Sequence, residues 1–191
     1  MRCWHYTRLA DDELAYIRAH GVSPGTVESM EARIARQVAA GRLSEADAAA
    51  IVAASPLRHP EQAQAWLGMF WVTDRALHPS DDGVELLLGH WGGEVVYFWV
   101  QDDALIERLQ GLGTPAVLEL AVPVALTRHA LSFAESALSS VVEALGYPRQ
   151  VPGIDAYLTK PLRPEGIIEV YTPDDAAFIP LAPSNPPEEQ S

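Results

Sequence analysis

The sequence has little cysteine, little lysine and no long apolar run. Cys3 is the only cysteine among 191 residues, so no internal disulfide can form and nothing indicates an oxidising compartment. Lys160 is the only lysine, and 13 basic residues face 26 acidic ones, which gives a formal net charge of −13. Nucleic-acid binding normally needs a basic face, so this balance argues against a nucleic-acid partner. The scattered arginines still leave room for a local pocket that holds one phosphate group.

Several signatures are also missing. The chain has no run of about 18 apolar residues and no basic-then-apolar leader, so we expect a soluble, cytoplasmic protein without membrane contact. The nucleotide signatures GxGxxG and GxxxxGK[ST] are absent, as is the hydrolase signature GxSxG. CxxC and HExxH do not occur, and the six histidines are dispersed, so we expect no metal site.

What is present is enough apolar material for one core. Hydrophobic residues make up 48% of the chain, with five tryptophans and six tyrosines. We predict a single domain over residues 1–181. Residues 182–191, "APSNPPEEQS", have the composition of a disordered tail.

The pattern of the first half is helical after one strand at residues 2–9, "RCWHYTRL". A helix is predicted to end at Gly21, and further helices over about residues 23–65 form a helical insertion. Within it, Ser44 followed by Asp47 predicts a capping box.

The second half changes its period. Residues 83–89 and 94–100 are predicted as two strands of a hairpin around "HWGG", and further strands are predicted at 115–123, 153–159 and 165–172. Residues 131–146 predict a helix with one apolar, core-facing stripe. Strands without regular βαβ alternation predict an α+β fold.

The opening strand carries the first candidate site. Because side chains alternate along a strand, His5 shares a face with Thr7, while Tyr6 and Arg8 point the other way. One interpretation is an edge strand with ordinary aromatic packing. The other is that His5 lines a functional cleft.

The stretch "WHYTRL…ELAYIRAHGV" resembles the opening of the ADP-ribosyltransferase superfamily, in its His-Tyr-Glu type. That resemblance implies split mixed or antiparallel sheets, NAD as cosubstrate, and His5 holding a ribose hydroxyl while nearby backbone groups clamp the nicotinamide amide. Tyr6, Thr7 and Arg8 are the implied neighbours at the cofactor, with Arg8 at the pyrophosphate.

The second and third motifs of the family are also matched by residues here. "LGMFWVTDRA" resembles the second, where the family has a stacking Tyr and this chain has Trp71 or Phe70; Tyr97 is a further candidate. "RPEGIIEVYTPDDAAFIPL" resembles the third, as found in the DNA-targeting toxins of the superfamily. In that motif Glu165 is the best match to the catalytic carboxylate, and Glu169 is the next best. The alternative interpretation is that Glu165 only caps the strand and Glu169 only points outward from it.

Breaking the bond to nicotinamide passes through an oxocarbenium-like state that a carboxylate stabilises. The implied catalytic set is His5, Trp71 and Glu165, with Phe70 at the cofactor. The acceptor is expected to be a protein or a small molecule, and no oligomeric state is predicted. The alternative is a non-catalytic acidic interaction protein, such as an antitoxin, an immunity protein or a partner-binding module.

Overall fold

The computed structural model describes residues 1–128, 130–148 and 153–178, so the predicted tail at 182–191 lies outside the described residues. Its strands form one antiparallel sheet in the order β4-β2-β1-β3-β5. The strands are β1 Arg2–Leu9, β2 Phe70–Thr73, β3 Thr114–Ala121, β4 Asp155–Leu158 and β5 Ile167–Tyr171. The fold is therefore α+β. The described strands belong to one sheet, whereas the family resemblance implies split sheets.

Helices surround this sheet and fill the segment between β1 and β2. Their bounds are α1 Asp11–His20, α2 Val27–Ala39, α3 Glu45–Ala54, α4 Pro60–Ala63, α5 Asp82–Gly89, α6 Glu94–Tyr97, α7 Asp103–Gly111 and α8 Ala130–Ala144. Short 3₁₀ turns lie at Pro56–Arg58, Val124–Leu126 and Pro164–Gly166. Among the described residues, no helix is both long and apolar enough to cross a membrane.

The start of α3 confirms the predicted capping box. The Ser44 hydroxyl accepts the Asp47 N–H at 3.1 Å, and the Asp47 carboxylate accepts the Ser44 N–H at 2.9 Å. Two backbone donors of the first turn are thereby satisfied, which is why the helix begins at Glu45.

The two faces of the sheet carry different side chains. The register pairs His5 with Leu118 and Leu118 with Val170, so these three side chains lie on one face, here the His5 face. α1 packs on it through half-buried apolar side chains. The opposite face, here the Tyr6 face, packs against α5 through Val84.

A second apolar core lies away from the sheet. It joins α2, α3 and α7 with the turn before α6, and Ile34, Ile51, Trp91, Leu105 and Leu109 are nearly or fully buried in it. Helices α2 and α3 therefore bury their apolar faces mainly against residues 91–112, whereas α1 packs on the sheet.

The predicted hairpin at 83–89 and 94–100 is wrong. Residues 82–89 form α5, whose start is fixed by the Asp81 side chain accepting the Gly83 N–H at 2.9 Å. Val84 and Leu88, four residues apart, both pack on the Tyr6 face. A short apolar run fits a strand and a buried helix equally well, and here the Asp81 cap and this four-residue spacing produce a helix.

The predicted apolar stripe of α8 does not face the core. Leu138 and Val141 are exposed, while Phe133 and Ser136 are buried. The Ser136 hydroxyl donates to the carboxylate of buried Asp74, at the end of β2. This polar contact orients the helix. A buried carboxylate without hydrogen-bond partners costs more free energy than an exposed leucine side chain does.

Tyr6 attaches the segment after β2 to the sheet, and its loss is expected to destabilise the fold. Its buried hydroxyl accepts the Leu77 N–H and donates to the Leu77 carbonyl at 3.3 Å. Tyr6→Phe should lower the free energy of unfolding by about 1–2 kcal/mol, because the Leu77 groups lose their partner. Urea denaturation measures the change. Tyr16→Phe is the control, since Tyr16 is 56% exposed; equal effects of the two variants would contradict the prediction.

Candidate functional site

A cavity of about 1010 Å³ lies beside the central strand of the sheet. β1 and β2 line one side of it, α1 and α2 line another, and the turn at residues 91–95 lines a third. Leu77 of the segment after β2 and Val84 of α5 also line it, so the cavity borders both the second core and the Tyr6 face of the sheet. Its volume is at the upper end of the range typical of small-molecule sites.

The cavity adjoins the place where β1 and β2 separate. Among the described residues, Trp4 and Thr73 are the only pair that joins these two strands. The Thr73 hydroxyl donates to the Arg75 carbonyl at 2.7 Å and lies 3.5 Å from the Trp4 carbonyl, so the Trp4 carbonyl faces β2. Backbone groups alternate sides along a strand, and therefore the N–H and C=O of Tyr6 face the same way, beyond the last pair.

The His5 side chain bridges this gap. Its Nδ1 lies 2.8 Å from the Trp71 carbonyl, which can only accept, so Nδ1 carries the proton and Nε2 is left as an acceptor. The ring lies 4.2 Å from the Phe70 ring, with 33° between the planes. Burial lowers the His5 pKa to about 4; the bond to Trp71 opposes this shift, and the charge of Arg33 adds to it. The imidazole is neutral at pH 7.

Phe70, rather than Trp71, is the aromatic side chain beside His5. Trp71 is the next residue along β2, so its indole lies on the Tyr6 face, 40% exposed and 4.9 Å from the Tyr157 ring. Tyr97 is buried in the second core, where its ring stacks on His90 at 5.0 Å, outside the cavity lining. The alternation of a strand thus puts Phe70 beside His5 and puts the Trp71 side chain on the other face, although both residues line the cavity.

The other residues predicted at the cofactor on β1 have separate places. Thr7 lies on the His5 face and lines the cavity. The Tyr6 hydroxyl is already hydrogen-bonded to the backbone of Leu77. Arg8 lies outside the lining and donates to the carbonyls of Leu112 at 2.9 Å and Leu88 at 3.2 Å. Arg8 therefore lies on the face opposite His5, away from the cavity lining, with its Nε and Nη1 bonded to backbone carbonyls.

The two predicted carboxylates are not in the cavity lining. Glu165 is exposed in the 3₁₀ turn before β5. Its segment abuts the cavity wall, since Leu162 and the wall residue Val22 exchange backbone hydrogen bonds of 3.0 and 2.9 Å. Glu169 pairs with Glu119 in the register, which puts its side chain on the Tyr6 face, opposite His5.

The structure adds a polar cluster that the sequence did not reveal: buried Glu13 and Trp91 with the partly exposed Arg33. Glu13 is 4% exposed and accepts from Arg33 Nε at 2.7 Å, Trp91 Nε1 at 2.6 Å and the Ala10 N–H at 3.0 Å. Burial alone raises the pKa of Glu13, but the Arg33 charge and these hydrogen bonds hold it below its ordinary value. All three side chains line the cavity.

These three residues come from distant parts of the sequence. Glu13 occupies the third position of α1, where a capping glutamate is common, so its second role is not visible in the chain. Among the described residues, no group of three His, Cys, Asp or Glu side chains is arranged to hold a metal ion.

The depressed pKa of His5 predicts a pH dependence of stability. An unfolded histidine binds a proton below about pH 6.5, whereas folded His5 does so only near pH 4, so the unfolded state holds more protons in this window. Stability is therefore lost as pH falls from 6.5 towards 4, by at most about 2 kcal/mol at pH 5. His5→Asn should remove this part of the loss in urea denaturation at pH 7 and pH 5. An equal loss of unfolding free energy between pH 7 and pH 5 in wild type and in His5→Asn would contradict the prediction.

Comparison of the chain with protein-family models, with curated proteins and with solved structures found no match. The candidate function therefore depends on the geometry of this cavity and on the sequence resemblance.

Proposed function

We propose that the chain binds NAD in the cavity beside β1 and acts as an ADP-ribosyltransferase-like protein. The observation that carries the proposal is the separation of β1 from β2 beside His5 and Phe70. An aromatic ring, a neutral histidine acceptor and backbone groups facing the gap then lie together at one end of a cavity of dinucleotide size.

Each part of nicotinamide riboside has a complementary group in this arrangement. The Phe70 ring offers a face for the nicotinamide ring. The Tyr6 N–H can donate to the oxygen of the nicotinamide carboxamide, and the Tyr6 carbonyl can accept from its NH₂ group. Nε2 of His5 is available to accept a ribose hydroxyl, as the family resemblance implies, because Nδ1 is held by Trp71.

The transfer step rests on the resemblance alone. Its carboxylate is Glu165 in this proposal, on a segment that abuts the cavity wall at Val22. The carboxylate stabilises the charge that develops as the bond to nicotinamide breaks. With a net charge of −13, the chain favours a protein or small-molecule acceptor over a nucleic acid.

One observation favours a second function, a non-catalytic interaction protein. Glu165 is exposed and outside the cavity lining, so a carboxylate opposite His5 is not supplied by either predicted glutamate. In that case the cavity binds a ligand without turning it over.

The stacking role predicts that Phe70→Ala weakens NAD binding. Loss of one aromatic face under a heteroaromatic ring typically costs about 1–3 kcal/mol, which is about 5- to 100-fold in affinity. Isothermal titration with NAD measures it. Phe98→Ala is the matched control, because Phe98 is 64% exposed and outside the lining. Equal affinity of Phe70→Ala and wild type would exclude the stacking role.

The transfer role predicts that Glu165→Gln keeps NAD affinity and loses turnover. Removing an electrostatic partner of the transition state typically lowers the rate about 10²- to 10³-fold. Nicotinamide release from NAD is the assay, and Glu169→Gln is the control because Glu169 faces away from His5. Unchanged release by Glu165→Gln would remove Glu165 from the mechanism. NAD binding without release by wild type would favour the non-catalytic function.

A further inference from the structure

Arg33 has a donor that the protein leaves unused. It lies on α2 and lines the cavity, with Nε bonded to Glu13 and its guanidinium carbon 5.0 Å from the centre of the Trp91 ring. Its Nη2 has no hydrogen-bond partner among the described residues, and 32% of the side chain stays exposed. Arginine carries five N–H donors, so the bond from Nε to Glu13 leaves donors of the guanidinium unsatisfied by the protein.

Two contacts hold the guanidinium of Arg33 in place. Glu13 holds one side of the guanidinium and the Trp91 indole supports its plane, so little side-chain freedom remains to be lost on binding a ligand. Glu13 is itself satisfied by Ala10, Arg33 and Trp91. The ion pair therefore accounts for Nε of Arg33, and the part of the guanidinium that remains accessible in the cavity lining is left to bind an acceptor.

We propose that Arg33 is an anion-binding residue that holds a phosphate oxygen of a pyrophosphate group in the cavity, with Glu13 as its positioning residue. This proposal rests on the proposed function, in which the pyrophosphate is that of NAD. A planar guanidinium held at one nitrogen presents its remaining donors in a fixed fork that suits phosphate oxygens.

Charge and location support this assignment. Besides Arg33, only Arg36 and Arg75 among the described lysines and arginines line the cavity, and both are exposed. Arg33 is close enough to His5 to lower its pKa. The Arg33 guanidinium therefore lies near the end of the cavity that holds nicotinamide and its ribose in the proposed function. The pyrophosphate of NAD is attached to that ribose. In a chain of net charge −13, an anion depends on such a local cation.

The test removes the charge pair as a unit, because Arg33→Gln alone leaves buried Glu13 uncompensated. The double variant Glu13→Gln/Arg33→Gln keeps the cluster neutral, and Arg33→Lys keeps the charge but not the fork. The matched control is Glu31→Gln/Arg58→Gln, which neutralises an exposed ion pair outside the cavity lining. Near-ultraviolet circular dichroism checks that each variant is folded.

Isothermal titration uses NAD, nicotinamide riboside and ADP as probes. For both Arg33 variants we expect NAD affinity to fall about 10- to 100-fold, as for a lost hydrogen bond to a charged group. Affinity for nicotinamide riboside, which lacks the pyrophosphate, should stay within about 2-fold, and the control pair should match wild type. Unchanged NAD affinity in both folded variants would overturn the proposal. An equal loss for nicotinamide riboside would overturn it too, because Arg33 would then act only through the shape of the cavity.

The ADP arm separates this proposal from the proposed function. If wild type binds ADP in an Arg33-dependent way but does not bind NAD, the NAD function fails and the pyrophosphate site stands. If wild type binds neither probe, both proposals fail.

Discussion

The hydrogen bond between His5 and the Trp71 carbonyl is the interaction on which the site depends. If the ladder continued from the Trp4–Thr73 pair, the next carbonyl of β2 to face β1 would be that of Trp71, opposite the Tyr6 N–H. The His5 imidazole takes this carbonyl instead. The strands therefore part after one pair, and the backbone of β1 is left facing a cavity rather than a neighbour.

This separation explains why one stretch of sequence has two roles. Tyr6 uses its side chain to hold Leu77 on one face of the sheet, while its backbone lies at the gap. His5 uses its side chain on the other face, beside Phe70. A rigid central strand, paired along its whole length with β3, positions both.

The cluster around Glu13 connects the sheet to the second core. Glu13 belongs to α1, which packs on the sheet, and Trp91 is buried with the helices of the second core. Arg33 of α2 lies between them and lines the cavity. A buried carboxylate needs such partners, so the arrangement that satisfies Glu13 also fixes the wall of the cavity. The stability of the fold and the shape of the site therefore depend on the same contacts.

The sequence by itself determined the elements whose signals are local. The α+β class, the opening strand, the helices that follow it and the capping box at Ser44 follow from alternation, periodicity and turn residues that neighbours in the chain provide. Tertiary structure decided what depends on distant partners. It made residues 82–89 a helix against Tyr6, turned α8 towards Asp74, and placed Phe70 rather than Trp71 beside His5. It also put Glu165 outside the cavity and brought Glu13, Arg33 and Trp91 together across 78 positions of sequence, because burial and pairing act on residues that only the folded chain makes neighbours.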